Sequence, residues 1–255
     1  MIKTQIFRIV ILTMLWASLP ILSFSDIPLP EHPRPDHWRP DWQNLNGIWN
    51  FQFDLENKGE NEEWFENTKG FSKTITVPFS WGAPLSGVED EGDIGWYNRE
   101  IIIPDVWKGK KIFLVVGASD WKTSGWLDGN TIGENRGGYT PFEFELTPHV
   151  KFGEKQSITL RVDDTEHGFK LEGKQGYGKA RGIWQTIYLE ARGNVFVDYV
   201  HITPDITNDE INIEGQLIGP VDSKSTLKIS IRGENGDQND YEISIKNKGN
   251  SFNQR

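Results

Sequence analysis

The sequence predicts an all-β fold: one large β-sandwich of the jelly-roll kind, followed by part of a second sandwich. Three observations carry this. Short stretches alternate apolar and polar residues with a period of two, the mark of half-buried strands. Glycines and an Asp-Gly pair punctuate them at turn spacing. No apolar pattern with the 3.6-residue period of a helix is sustained over a useful length.

The first element is not part of the sandwich. Lys3 and Arg8 precede an apolar run from Ile9 to Leu22 that ends in Ser23-Phe24-Ser25. This is the three-part pattern of a secretory signal peptide, with cleavage expected after Ser25. A membrane anchor needs about 20 apolar residues, and Pro20 interrupts this run early. Residues 1–25 are therefore read as a leader, and the protein as exported, periplasmic or secreted, with no membrane contact once the leader is removed. Residues 26–44, rich in proline, read as an extended lead-in, because proline is excluded from helix interiors and central strands.

Residues 45–193 hold the predicted first sandwich. Trp49, Phe51 and Phe53 share one face against Asn50, Gln52 and Asp54. Phe142, Phe144 and Leu146 face away from Glu143 and Glu145, and Ile158, Leu160 and Val162 away from Thr159 and Arg161. Further strands are predicted over Lys73–Val77, Trp96–Ile103, Lys111–Val116, Thr123–Leu127 and Ile183–Ala191. Asp128-Gly129 suits the positive φ angles of a tight hairpin. From residue 194 the aromatics thin out. Alternating strands continue around Val195–Thr203, Ile211–Leu217, Leu227–Ile231 and Tyr241–Ile245. They read as the opening of an immunoglobulin-like sandwich, which takes about 100 residues. The last residues, NKGNSFNQR, carry no evident strand, so residues 194–255 are expected to form a truncated sandwich. Its open strand edges invite pairing with other chains, and a chain cut near Gly193 is expected to be more soluble.

Composition narrows the function. There is no cysteine, which excludes a disulfide framework, a thiol nucleophile and cysteine-ligated metal. The net charge of -10 argues against nucleic acid and anionic membranes, which require clustered Lys and Arg. A neutral ligand fits better. Eleven tryptophans and six tyrosines offer both core material and flat faces on which sugar rings can stack.

Four blocks then become specific. They are VPFSW (Val77 to Trp81), WYNREIIIPDVWKGKKIFLVVGASD (Trp96 to Asp120), GWLDGNTIGENRGGYTPFEFELT (Gly125 to Thr147) and GKARGIWQTIYLEA (Gly178 to Ala191). In order and spacing they resemble the N-terminal sugar-binding domain of glycoside hydrolase family 2, which includes β-galactosidases, β-glucuronidases and β-mannosidases. The resemblance implies a galactose-binding-like jelly-roll β-sandwich followed by a partial immunoglobulin-like β-sandwich. It also implies an enzyme that hydrolyses β-linked glycosides with retention, homo-oligomeric assembly of the full-length enzyme being open, and no cofactor.

Retention requires two carboxyl groups roughly 5–5.5 Å apart. In that family both lie on a (β/α)₈ barrel, a unit of about 250 residues that this chain is expected to lack. No catalytic residue is therefore assigned. Asp163-Asp164 at a strand end reads as a turn, and Glu89, Asp90, Glu91 and Asp93 as a solvated acidic loop without calcium-loop spacing. The five histidines show no metal pattern, so no metal is expected. The resemblance implies that loops over residues 80–95 and 167–181 help to shape the sugar subsite, with Trp81, Asp93, Lys174 and Gln175 as its substrate-binding candidates. The position where β-galactosidases use an aspartate falls near Gly176, so galactose recognition is not carried over. Two alternatives stand beside this reading: a free-standing carbohydrate-binding module, and an adhesion sandwich without sugar.

Overall fold

A computed structural model describes residues 27–66, 68–165, 180–221, 225–244 and 250–254. The leader lies outside them. The described chain is all-β. The first sandwich pairs its strands antiparallel throughout. Its strands are β1 (Trp42–Asn44), β2 (Gly47–Phe53), β3 (Lys73–Val77), β4 (Ile94–Ile102), β5 (Lys111–Val116), β6 (Ser119–Asp120), β7 (Lys122–Leu127), β8 (Asn130–Arg136), β9 (Phe142–Glu145), β10 (Lys155–Asp163), β11 (Gly182–Ile183) and β12 (Ile187–Arg192). One sheet runs β3-β2-β4-β10-β7-β8, the facing sheet β1-β12-β5-β9, and β6 pairs with β11 at one end.

The core lies between the two sheets. Trp49, Phe51, Phe53, Ile158, Leu160 and Val162 meet Ile112, Leu114, Val116, Phe144, Ile187 and Leu189 there. Each such side chain contributes about 1.5–3 kcal/mol by leaving water. The predicted hairpin is present: Asp128 has φ 48° and Gly129 φ 78°, joining β7 to β8. Burial pushes the Asp128 carboxyl up, but hydrogen bonds from Ser157 N–H (2.8 Å), Gln156 (3.0 Å) and Lys151 (3.0 Å) outweigh it and hold it below the usual range.

Four sequence-level expectations need correction. First, Thr159 and Arg161 do face away from the core, yet both are buried. The outer face of the larger sheet is covered by Trp64, Phe65 and Phe71, which pack on Trp96 and Trp126. Phe65 stacks on Trp126 at 5.1 Å and Trp126 on Trp96 at 5.4 Å. Second, Trp42–Asn44 is not lead-in but an edge strand on β12. Third, the strand expected over Ile183–Ala191 is broken. Ile183 pairs with Ser119, whereas Ile187 pairs with Val116, so the chain crosses between sheets at Trp184–Thr186. Trp184 and Gln185 N–H both donate to Ala118 C=O there, at 3.2 and 3.3 Å.

The fourth concerns the C-terminal unit, built from β13 (Phe196–Asp205), β14 (Glu210–Ile218), β15 (Thr226–Arg232), β16 (Gln238–Ser244) and β17 (Ser251–Gln254). Sheets β13-β14-β17 and β15-β16 enclose a small core of Ile213, Leu217 and Phe252. The closing segment thus does form a strand. Phe252 faces Gly215 across the ladder, where a Cβ would lie 2.6 Å from the ring, so the bare glycine makes the seat for it. The register places Val200 and Ile202 on the same face as Gly215 and Ile213, yet they remain 45 % and 59 % exposed.

Candidate sugar-binding site

Arg181 organises one end of the first sandwich. Its Nη1 donates to Asp93 Oδ1 at 2.8 Å and Asp90 Oδ1 at 3.1 Å, and its Nε lies 3.2 Å from Asp164 Oδ2. Its backbone N–H donates to Ser80 Oγ at 3.3 Å, and Asp164 N–H donates to Asp93 C=O at 2.7 Å. One guanidinium therefore ties the end of β10, the acidic loop and the residue-80 turn together. The fork of a guanidinium can serve several carboxylates at once, which a lysine cannot do with the same geometry. Asp164 is fully buried, while Asp90 and Asp93 keep about half their side-chain surface in water.

Arg181 is held in place by the residue after it. Gly182 has φ 72°, and a Cβ there would lie 2.1 Å from Tyr97 Oη and 2.5 Å from two carbons of Trp81. Tyr97 is fully buried, and its hydroxyl accepts from Ile183 N–H at 3.3 Å. Burial drives that hydroxyl far above the ordinary tyrosine range, so it stays protonated.

Among the sequence candidates, Asp93 sits on this rim, ion-paired but half-exposed. Lys174 and Gln175 lie outside the described residues. Trp81 is corrected: it is 2 % exposed and packs on Phe51, Phe53 and Tyr97, so neither of its faces is open to a sugar ring. The acidic loop is not merely solvated, because Asp90 and Asp93 anchor it to Arg181 and Glu91 pairs with Lys73. Asp163-Asp164 is likewise more than a turn. Asp163 pairs with Arg161 at 3.0 Å, and Asp164 with Arg181. Among the described residues no group of three or more His, Asp and Glu converges to hold a metal.

Residues 42–192 match the family model described as glycosyl hydrolases family 2, sugar binding domain. The chain belongs to this family. The β-glucuronidase of Bacteroides fragilis is 26% identical over 197 residues, covering 76% of this chain and 26% of that protein. The β-galactosidase of Thermoanaerobacter pseudethanolicus is 26% identical over 206 residues, covering 77% of this chain and 26% of that one. The structure of Ruminococcus gnavus β-glucuronidase in complex with D-glucaro-d-lactam superposes with a TM-score of 0.69 at 17% identity, over 84% of this chain and 40% of that one. That likeness shows the shared sandwich fold. The family 2 chain described here spans about a quarter to a third of the length of the first curated relatives it matches.

Proposed function

We propose that the first sandwich is the sugar-binding scaffold of an exported family 2 β-glycosidase, positioning substrate rather than cleaving it. The observation that carries this reading is the Arg181 knot. It ties Arg181, at the end of the 167–181 segment, to the Ser80 turn and the acidic loop of the 80–95 segment, and the family resemblance assigns both segments to the sugar subsite. In this reading Asp93 meets a substrate hydroxyl at the rim, Lys174 and Gln175 stay the further candidates that the resemblance names, and bond cleavage belongs to a catalytic domain with paired carboxyls. The match to enzymes named β-glucuronidase supports a β-linked glycoside as substrate. Export rests on the basic, apolar and small-residue order of the leader.

The test is a kinetic assay, on chromogenic β-glucuronide and β-galactoside, of the protein isolated from its native host. Asp93→Ala is expected to raise KM several-fold while leaving kcat close to wild type, since a positioning contact adds binding rather than chemistry. Unchanged KM for both substrates would refute the rim assignment. Mass spectrometry of the exported product is expected to show a first residue of Asp26. An intact Met1 would refute export by leader cleavage.

A further inference from the structure

The outer face of the β1-β12-β5-β9 sheet carries a cleft of about 470 Å³ in which the Arg181 knot has no part. Its volume lies in the range of about 300–1,000 Å³ that encloses small ligands. Val115 and Tyr188 form the floor, the lead-in at Arg34–Arg39 one wall, and Tyr139 with Trp184 the other. The wall aromatics are anchored. Trp184 Nε1 donates to Gly138 C=O at 2.9 Å, and Tyr139 meets Trp184 edge to face at 5.7 Å while remaining 45 % exposed. Glu143 and Arg192, both in the lining, are joined by two bonds of 2.9 and 2.6 Å.

We infer that this cleft is a second carbohydrate-binding site, one that takes a neutral saccharide. The inference rests on the sugar-binding reading of the domain but uses a different surface. A pyranose presents an apolar C–H face and a rim of hydroxyls. A half-exposed tyrosine ring braced on a tryptophan receives the first at low entropic cost, and fixed carboxylate and guanidinium edges receive the second. Charge selects the neutral form. Each guanidinium of the lining is already bonded to a carboxylate: Arg34 to Asp36 at 2.8 Å, Arg39 to Glu190 at 2.9 Å and Arg192 to Glu143 at 2.6 Å. Asp198 adds a further negative charge to the wall. A uronate would meet guanidinium charge already offset by these carboxylates and lie beside Glu143 and Asp198, whereas a hydroxyl can share their oxygens without disturbing them. Glu190 is 1 % exposed and also bonds Arg192 at 2.6 Å, so the ionic frame behind the cleft is preorganised rather than adaptable.

The test titrates the whole chain with cellobiose, lactose and free glucuronic acid, following heat by calorimetry and emission from Trp184. Cellobiose or lactose is expected to bind and glucuronic acid to bind at least tenfold more weakly. Tyr139→Ala, at an exposed position, is expected to keep the fold and weaken the neutral sugar about tenfold, equivalent to about 1.4 kcal/mol. Gln185→Ala, at the exposed lip, should weaken it by a smaller factor. Glu154→Ala, at an exposed turn outside both surfaces, should leave it unchanged. Equal or tighter binding of glucuronic acid overturns the inference, as does loss of binding with Glu154→Ala but not with Tyr139→Ala. A folded chain that gives no heat with either disaccharide also overturns it. None of these results bears on the KM test of Asp93, so the two readings fail separately.

Discussion

Replacing Gly182 with alanine places a Cβ where the structure has no room for one. The backbone stays at φ 72°, which costs an L-residue about 1–2 kcal/mol. The added carbon would lie 2.1 Å from Tyr97 Oη and 2.5 Å from Trp81, two side chains that are themselves fully buried. Overpacking of this kind costs about 1–3 kcal/mol, and the smaller entropy of the unfolded alanine chain returns about 0.4–1 kcal/mol. Gly182→Ala is therefore expected to destabilise the first sandwich by about 1–4.5 kcal/mol. Urea unfolding followed by tryptophan fluorescence measures it cleanly, because the ten tryptophans after the leader, Trp38 to Trp184, all precede the second unit. Tyr97→Phe provides the control. It removes the oxygen nearest the new carbon, so the double variant should lose less than the two single losses together, with a coupling of about 0.5–3 kcal/mol. A single-variant loss below about 0.5 kcal/mol, the range of ordinary surface changes, would refute the packing argument.

Arg181→Met withdraws the cation from the buried Asp164 carboxylate and should cost about 3 kcal/mol; hydrogen exchange at the Asp164 amide should quicken, and unchanged protection would show that the knot does not anchor the loop. Asp128 titrates below its unfolded value of about 3.9, so its contribution is present above that pH and is lost as pH falls through the depressed folded value. Asp128→Asn should therefore lose about 1 kcal/mol at pH 7 and show a flatter loss of stability between pH 5 and pH 3 than wild type; parallel curves would contradict the assignment. Ending the chain after Asp198 keeps Phe196 over Phe113 and the Val197 carbonyl for Arg39, while removing the open Val200–Ile202 face. The shortened chain should sediment as a monomer at concentrations where the longer one self-associates, and equal association would clear that face of the role.

Much of the first sandwich was legible because period-two alternation is a local property. Phe51 and Ile158 declare their face by their neighbours alone, and the Asp128-Gly129 pair declares its turn by chemistry. What was not legible depends on distant partners. The burial of Thr159 and Arg161 is imposed by Trp64, Phe65 and Phe71, which lie in a stretch of turns with no period of its own. β17 escaped because a single apolar residue, Phe252, carries its pairing among polar ones, and the glycine that receives it is far back in the chain. Trp81 was read as a loop aromatic open to sugar, since sequence does not reveal that the turn after Val77 points inward. Arg181 stood in plain view within GKARGIW, but its loop partners Asp93 and Asp90 lie 88 and 91 residues away.

The break between β11 and β12 explains how one short segment serves two surfaces. Had Ile183–Ala191 been a continuous strand, its side chains would have alternated between the core and a single outer face. Instead Gly182 turns the chain at positive φ beneath Trp81, and the strand leaves its pairing with β6 before it joins β5. Within four residues Arg181 reaches the acidic loop, Ile183 enters the core and Trp184 reaches the cleft wall. The rigidity of that crossing comes from Tyr97 and Ala118, which hold the amides of Ile183, Trp184 and Gln185. A perturbation at Gly182 should therefore be felt on both sides, loosening Asp93 at the rim and shifting the emission of Trp184 in the cleft. A substitution at Tyr139 should be felt on one side alone.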